Sequence, residues 1–475
     1  MKQRAVTEKV VHFLAKRWSS EAGYRQVLSI AIPLILSTGA WSIQHFVDRM
    51  FLTWYSPEAI AAAMPAGMLN FTIMSLFLGT AGYVSTFVAQ YHGSGRDERI
   101  GPVLWQGMYL AIIGGIVHLV LVPLAGPFFR FVGHEPLVQQ YETVYFQVLC
   151  LGATPAIASS AMSGFFSGRG KTWPVMWVNT LGTAVNLIMD YGLIFGRWGL
   201  PELGIKGAAI ATVISACFSF VAYLILLSRP THDGRYYTLR GRMFERVLFL
   251  RLMYFGFPSG VQFFLDMVGF TTFILLIGRL GTPQLAATNI AFNINTLAFM
   301  PMIGFGIAVS VLVGQYLGKN RPDLAERSVY SSFHLTFLYM ASVAAAYVLF
   351  PSIFLDPFAS QADPASFIAI RKTTIILLRF VAVYSLFDAL NVVFASAIKG
   401  AGDTRFVMFM IAVVSSVALV IPSYIALVLL DAGIYTGWTI ASAYVSILGL
   451  IFLFRFMGGK WKSMRVIEQA SYVKE

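Results

Sequence analysis

Two halves of this 475-residue chain carry the same landmarks at the same intervals. Pro33 is followed 57 residues later by Gln90-Tyr91-His92-Gly93 and then by Arg96. Pro258 is followed 57 residues later by Gln315-Tyr316-Leu317-Gly318 and then by Arg321. Between these marks Ser56-Pro57-Glu58-Ala59 answers Thr282-Pro283-Gln284-Leu285 with a slip of one residue. Further on, Gly168-Arg169-Gly170-Lys171-Thr172 answers Gly400-Ala401-Gly402-Asp403-Thr404. A duplicated plan restricts the fold to two like lobes. In an apolar chain that is the build expected of a membrane transporter, whose halves rock about a site lying between them.

Composition places the chain in a bilayer. It is 57% hydrophobic and 12% charged, with a mean hydropathy of +0.71, whereas a soluble domain carries about 25% charge. Apolar stretches long enough to cross roughly 30 Å of hydrocarbon recur at 27–54, 59–91, 102–126, 141–166, 173–196, 205–228, 250–279, 284–317, 328–354, 367–397, 406–430 and 433–456. These are read as twelve transmembrane helices of an all-α protein. Pro33, Pro65, Pro155, Pro258, Pro301 and Pro422 fall inside them, which neighbouring helices tolerate in lipid.

The formal charge of +12 would suit a nucleic-acid binder, but its placement argues otherwise. Lys and Arg gather in alternate loops: Arg96 and Arg99; Arg169 and Lys171; Arg229 through Arg251; Lys319, Arg321 and Arg327; Lys399 and Arg405; then Arg455, Lys460, Lys462 and Arg465. This is the positive-inside pattern. It expects both termini in the cytoplasm and no nucleic-acid partner. Six spans per half return the chain to its starting side, so the repeats are parallel, related by an axis along the membrane normal. The expected parts are a cytoplasmic tail 1–24, a first lobe 25–228, a linker 229–249, a second lobe 250–457 and a cytoplasmic tail 458–475. No signal-peptide core precedes residue 25. The stretch Val10-Val11-His12-Phe13-Leu14 fits a surface helix or a solvated tail equally.

Several chemistries are excluded. Cys150 and Cys217 both fall within spans, so a structural disulfide is not expected. The seven His residues show no metal-ligand spacing, and Gly168 to Thr172 lacks the spacing of a phosphate cradle. Neither an ATPase nor an intramembrane enzyme is indicated. No cofactor is expected, and energy must come from an ion gradient.

Four carboxylates sit where charge is expensive: Asp48, Asp190, Asp266 and Asp388. Each costs about 2.5–3.5 kcal/mol at a helix centre on insertion scales. Such groups usually bind a cation, relay protons or line a cavity; the plainer alternative is a carboxyl that caps a helix or pairs with a stray Arg. Helical spacing gives each one company. Gln44 and Trp41 precede Asp48 on one face, and Asn186 precedes Asp190. Gln262 and Ser259 precede Asp266, and Tyr384 and Asn391 flank Asp388. Asn289 and Asn293, four apart, are candidates for the same second cleft. Trp41, Gln44, Gln262, Asn289, Asn293 and Asn391 are therefore candidate substrate contacts. Trp54, Trp198 and Trp438, near span ends, read as interfacial anchors.

Phe46-Val47-Asp48, Gln90 with Gly93-Ser94-Gly95-Arg96, and Gly168 through Pro174 followed by Asn186 and Asp190 resemble the multidrug and toxic compound extrusion (MATE) family. So do Gly204, Gly207-Ala208-Ala209 and Thr212, Gln262 to Asp266, and Asp388 to Thr404. The resemblance covers essentially the whole chain. It implies a V-shaped, twelve-helix antiporter of the cell (inner) membrane that expels amphipathic, often cationic drugs or metabolites in exchange for H⁺ or Na⁺ by alternating access, and a monomer is expected. It further implies a cation site, Na⁺ or H⁺, at Asp48, Asn186, Asp190 and Thr212, or at Asp266, Tyr384 and Asp388. The chain carries both sets. A flippase for a lipid-linked or natural-product substrate would share the architecture; for a pyrophosphate-linked cargo it is expected to present a cationic cavity, whereas the intramembrane charges here are mainly acidic.

Overall fold

The computed structural model of the chain describes residues 17–359 and 364–468. The stretch 10–14, most of the expected N-terminal tail and the end of the C-terminal one lie outside the described residues. Every regular element among the described residues is helical. In chain order the α-helices are α1 (Tyr24–Tyr55), α2 (Pro57–Gly82), α3 (Val84–Gly93), α4 (Ile100–Leu121), α5 (Ala125–Val132), α6 (Pro136–Leu151), α7 (Ala153–Gly168), α8 (Trp173–Phe195) and α9 (Gly204–Leu227). After the short α10 (Pro230–Tyr236) come α11 (Arg246–Gly278), α12 (Thr282–Gly318), α13 (Pro322–Leu349), α14 (Pro351–Ala359), α15 (Pro364–Ala401), α16 (Thr404–Val414), α17 (Ile421–Tyr424) and α18 (Ile434–Met457).

Each of the twelve expected spans coincides with a helix or a run of helices. Ten of these are long and apolar enough to cross a membrane, and the bent pair α6 and α7 makes an eleventh. The remaining one, α8, is a 23-residue helix diluted by Asn179, Asn186 and Asp190. The second half of the eleventh span departs from plain α geometry in two places. Around Pro422 the helix widens to π turns at Ser415–Val420 and Ile425–Leu429, because proline offers no N–H and its ring displaces a preceding carbonyl.

The repeated motifs turn out to be repeated helix stops. After Gln90-Tyr91 the Arg96 amide bonds back to the Tyr91 carbonyl at 3.0 Å, and after Gln315-Tyr316 the Arg321 amide bonds to the Tyr316 carbonyl at 2.8 Å. This six-residue closure needs a left-handed residue, supplied by Gly95 (φ +76°) and by Asn320 (φ +58°). Gly170 and Gly402 serve the second motif in the same way, with Lys171 bonded to Phe166 at 3.0 Å and Asp403 to Ile398 at 3.1 Å.

The described residues form two compact units: 17–35 with Leu265–Arg465, and Leu36–Phe264 with 466–468. Relative to a division by repeats, the units trade the beginnings of α1 and α11. In the Leu36–Phe264 unit, a methyl group added at Gly164 or Gly168 would lie 2.9 Å or 2.5 Å from the Ser85 backbone, so α3 and α7 touch main chain to main chain through small residues. The other unit is built on a core that includes Phe273, Ile277, Leu377, Val381 and Trp438. Trp438 is fully buried and donates to Thr288 Oγ1 at 3.3 Å, which corrects its reading as an interfacial anchor. Proximity to a span end gives depth, not which way the ring turns. Trp54 and Trp198 are exposed, at 62% and 68%.

Candidate functional site

In the Leu36–Phe264 unit, α8 carries Asn179, Thr183, Asn186 and Asp190 at spacings of four, three and four, which is one helix face. Ser37, Gln44 and Asp48 lie along α1. The two rows meet as a ladder. Asn179 Nδ2 donates to Ser37 Oγ at 2.7 Å, and the Tyr223 hydroxyl donates to Asn179 Oδ1 at 3.3 Å. The Thr183 hydroxyl donates to Gln44 Oε1 at 3.4 Å. At the end of the ladder the Asp48 and Asp190 carboxyls adjoin and act on one another electrostatically, with Tyr145 of α6 beside both.

Asn186 and Asp190 are fully buried and Asp48 is partly so. Both Asp190 oxygens, Asp48 Oδ1 and both polar atoms of the Asn186 amide are buried without a hydrogen-bond partner. Orphaned buried polar atoms each cost about 1–3 kcal/mol, and five of them fall on these three side chains. Four of the five are oxygens, a donor set that suits a hard monovalent cation or a proton. Exposed Arg49 is near enough to act on Asp48. The Thr212 hydroxyl donates to the Ala208 carbonyl of its own helix at 3.1 Å. Trp41, 38% exposed, packs on His45 at 5.0 Å and on Phe71 at 5.8 Å, and Phe71 on Phe263 at 5.8 Å. Gln262 lies one turn before Asp266 along α11, within this unit.

In the other unit Asp388 stands beside Asp266 and Asn391. Tyr384 OH accepts from Asn295 Nδ2 at 3.1 Å, and the Tyr384 ring stacks on Trp438 at 6.5 Å. Tyr444 lies near both Asp266 and Asp388, and Lys399 lies within electrostatic reach of Asp266. Lys399, counted above among the loop cations, belongs to the last turn of α15. Asn289 and Asn293 are exposed, and Asn293 Nδ2 donates to the Asn289 carbonyl on their own helix at 2.9 Å; the amide that reaches Tyr384 is Asn295.

Sequence reasoning missed Asn179 and Thr183, though their spacing from Asp190 was available. It also missed Glu142, a fully buried carboxylate whose Oε1 lies 2.8 Å from His134 Nδ1. Asn295, Tyr444 and Lys399 gave no signal, because only tertiary packing brings them to the acids.

The MatE family profile matches residues 33–192 and 258–425, and the two stretches begin at Pro33 and Pro258, the first landmarks of the repeat. The probable multidrug resistance protein NorM of Synechocystis sp. is 27% identical over 83% of this chain and 86% of its own length. The multidrug resistance protein PmpM of Pseudomonas aeruginosa is 29% identical over 82% and 81%. Among solved structures, the outward-facing conformation of a multidrug resistance MATE family transporter of the MOP superfamily matches 94% of this chain and 98% of its own, with TM-score 0.85 and 19% identity. A MOP superfamily transporter from Pyrococcus furiosus matches 94% and 98%, with TM-score 0.84 and 20% identity. At these identities the structural likeness is one of fold.

Proposed function

The chain belongs to the MatE family, and from that premise we propose that it is a secondary active antiporter exporting amphipathic, often cationic compounds in exchange for H⁺ or Na⁺. The names of the Synechocystis and Pseudomonas relatives support the cargo class. The placement of basic loops supports a cell-membrane protein with both termini in the cytoplasm. The observation that carries the coupling is the set of orphaned polar atoms on Asp48, Asn186 and Asp190.

The chemistry is mutual exclusion. Open to the outside, the Asp48 and Asp190 carboxyls take up the ion, their charge is cancelled, and a cationic cargo is held less well. Cargo leaves outward. The neutralised site now costs less to desolvate, so access can pass to the cytoplasmic side, where the ion is released and the bare acids attract new cargo. The reciprocity is thermodynamic: the ion lowers cargo affinity by the same factor as cargo lowers ion affinity. Asn186 fixes the geometry between the acids and contributes its amide oxygen to the ion. The test is purified protein in liposomes, with Na⁺ and pH gradients imposed separately while a fluorescent cation is followed. One of the two gradients is expected to drive accumulation in the wild type and to fail in both Asp48→Asn and Asp190→Asn. Full uphill transport by both variants would overturn the assignment.

A further inference from the structure

Around the segment joining α10 to α11, three acidic groups are already paired with arginines. Asp233 pairs with Arg240 at 3.2 Å, Asp97 with Arg235 at 2.7 Å, and Glu245 with Arg99 at 2.9 Å. Arg242 and Arg246, both exposed, keep no acidic partner among the described residues. Their backbone is not loose. The Tyr109 hydroxyl donates to the Arg242 carbonyl, the fully buried Gln106 donates to the Met243 carbonyl at 3.3 Å, and its Oε1 accepts from the Glu245 amide at 3.4 Å. Two unmatched guanidiniums are thus presented from a pinned turn.

Beyond them α11 is two-faced. Leu248, Leu252 and Gly256 are buried, whereas Val247 (81% exposed), Leu250 (55%), Tyr254 (50%) and Phe257 (43%) form one uncovered stripe at spacings of three, four and three. Met243, 77% exposed, extends it to the arginines. The stripe runs along a helix that crosses the membrane, and the positive end is where a headgroup layer would begin.

From this juxtaposition we infer that Arg242 and Arg246, with the Met243 to Phe257 stripe, seat one anionic phospholipid. Its phosphate bridges the two guanidiniums and an acyl chain lies along Val247, Leu250 and Tyr254. A planar guanidinium fork matches phosphate oxygens geometrically. Juxtamembrane arginines gain from an anionic leaflet, and a lipid satisfies the charge and the apolar stripe at once, which a soluble anion cannot.

The experiment is native mass spectrometry of the full-length protein released from micelles containing dioleoyl phosphatidylglycerol or dioleoyl phosphatidylcholine. The wild type is expected to retain phosphatidylglycerol preferentially. Arg242→Gln and Arg246→Gln are each expected to weaken that retention about fivefold, which is ~1 kcal/mol per arginine. Arg235→Gln with Arg240→Gln removes matched charges and should leave the preference intact. Three results would overturn the inference: equal retention of the two lipids by the wild type, an equal loss in the Arg235 and Arg240 variant, or displacement of the lipid by glycerol phosphate at the same concentration. The last would mark a phosphate site and not a lipid seat.

Discussion

Asp190→Asn tests the proposed coupling site most directly. The side chain is fully buried with the Asp48 carboxyl as its polar neighbour, a contact that a near-isosteric amide can keep. It also removes one of two adjoining carboxyls, whose mutual repulsion opposes folding. The unfolding midpoint of the variant is therefore expected at or above that of the wild type. Transport should move far more. A membrane potential of 100 mV contributes about 2.3 kcal/mol per charge, and a pH unit about 1.4 kcal/mol. Together these support a concentration ratio of about 500-fold for a neutral cargo at 1.36 kcal/mol per tenfold. With the ion site disabled the ratio should fall to about one, leaving only downhill movement. The assay is accumulation of an uncharged fluorescent substrate in proteoliposomes, with melting in detergent alongside; a monovalent cation exchanged one for one would cancel the potential and reach only about tenfold per pH unit. An ion at ten times its Kd stabilises the folded state by about 1.4 kcal/mol, so the wild-type midpoint should rise with the coupling ion and the variant's should not. A variant that still accumulates substrate several-hundred-fold, or whose midpoint still responds to the ion, refutes the reasoning.

Asp388→Asn, in the second candidate cation set, is expected to leave the accumulation ratio unchanged, because the coupling is assigned to Asp48 and Asp190; loss of uphill accumulation in this variant would refute that assignment. His134→Ala leaves the buried Glu142 Oε1 without its 2.8 Å neighbour and should cost about 1–3 kcal/mol of stability, partly recovered by adding Glu142→Gln, and an unchanged melting curve would contradict this. For Glu468, burial pushes the carboxyl up, but its backbone bond, the Tyr91 hydroxyl at 2.8 Å and the Arg96 and Arg99 guanidiniums outweigh it and hold the group below the usual range. A depressed carboxyl stabilises above its unfolded value of roughly 4.3 and loses that as pH falls through the lower folded one. Deuterium uptake at the Val466 amide, which bonds Gln90 Oε1 at 2.9 Å, should therefore stay low at pH 7, rise only below about pH 4, and be high throughout in Glu468→Gln; a flat wild-type profile would refute the anchor.

How much of this was legible beforehand follows from physics. Helices were readable because lipid forces every backbone bond inside the helix, so apolar runs declare themselves. Asp48, Asp190, Asp266 and Asp388 stood out because a charge in such a run is conspicuous. Glu142 did not, lying one residue inside the expected limit of its span. Lys399 was grouped with loop cations because a lysine near a helix end looks the same in sequence whether its stem leaves the protein or turns inward. Asn295 and not Asn289 meets Tyr384, a choice made by the rotation of α12, which no local pattern encodes. The trading of the beginnings of α1 and α11 between the two units was invisible for a related reason: the repeat marks where the chain duplicates, not where its helices pack.

All the rungs along α1 are held by one rigid partner, α8. Asn179 and Asp190 are separated by eleven residues, about 17 Å of helix at 1.5 Å per residue. A slight roll of that cylinder would unseat Asn179 from Ser37 and Thr183 from Gln44 in the same movement that parts the acids. Under the proposed coupling, an ion taken up at one end would be felt at the other without a relay of intermediate steps.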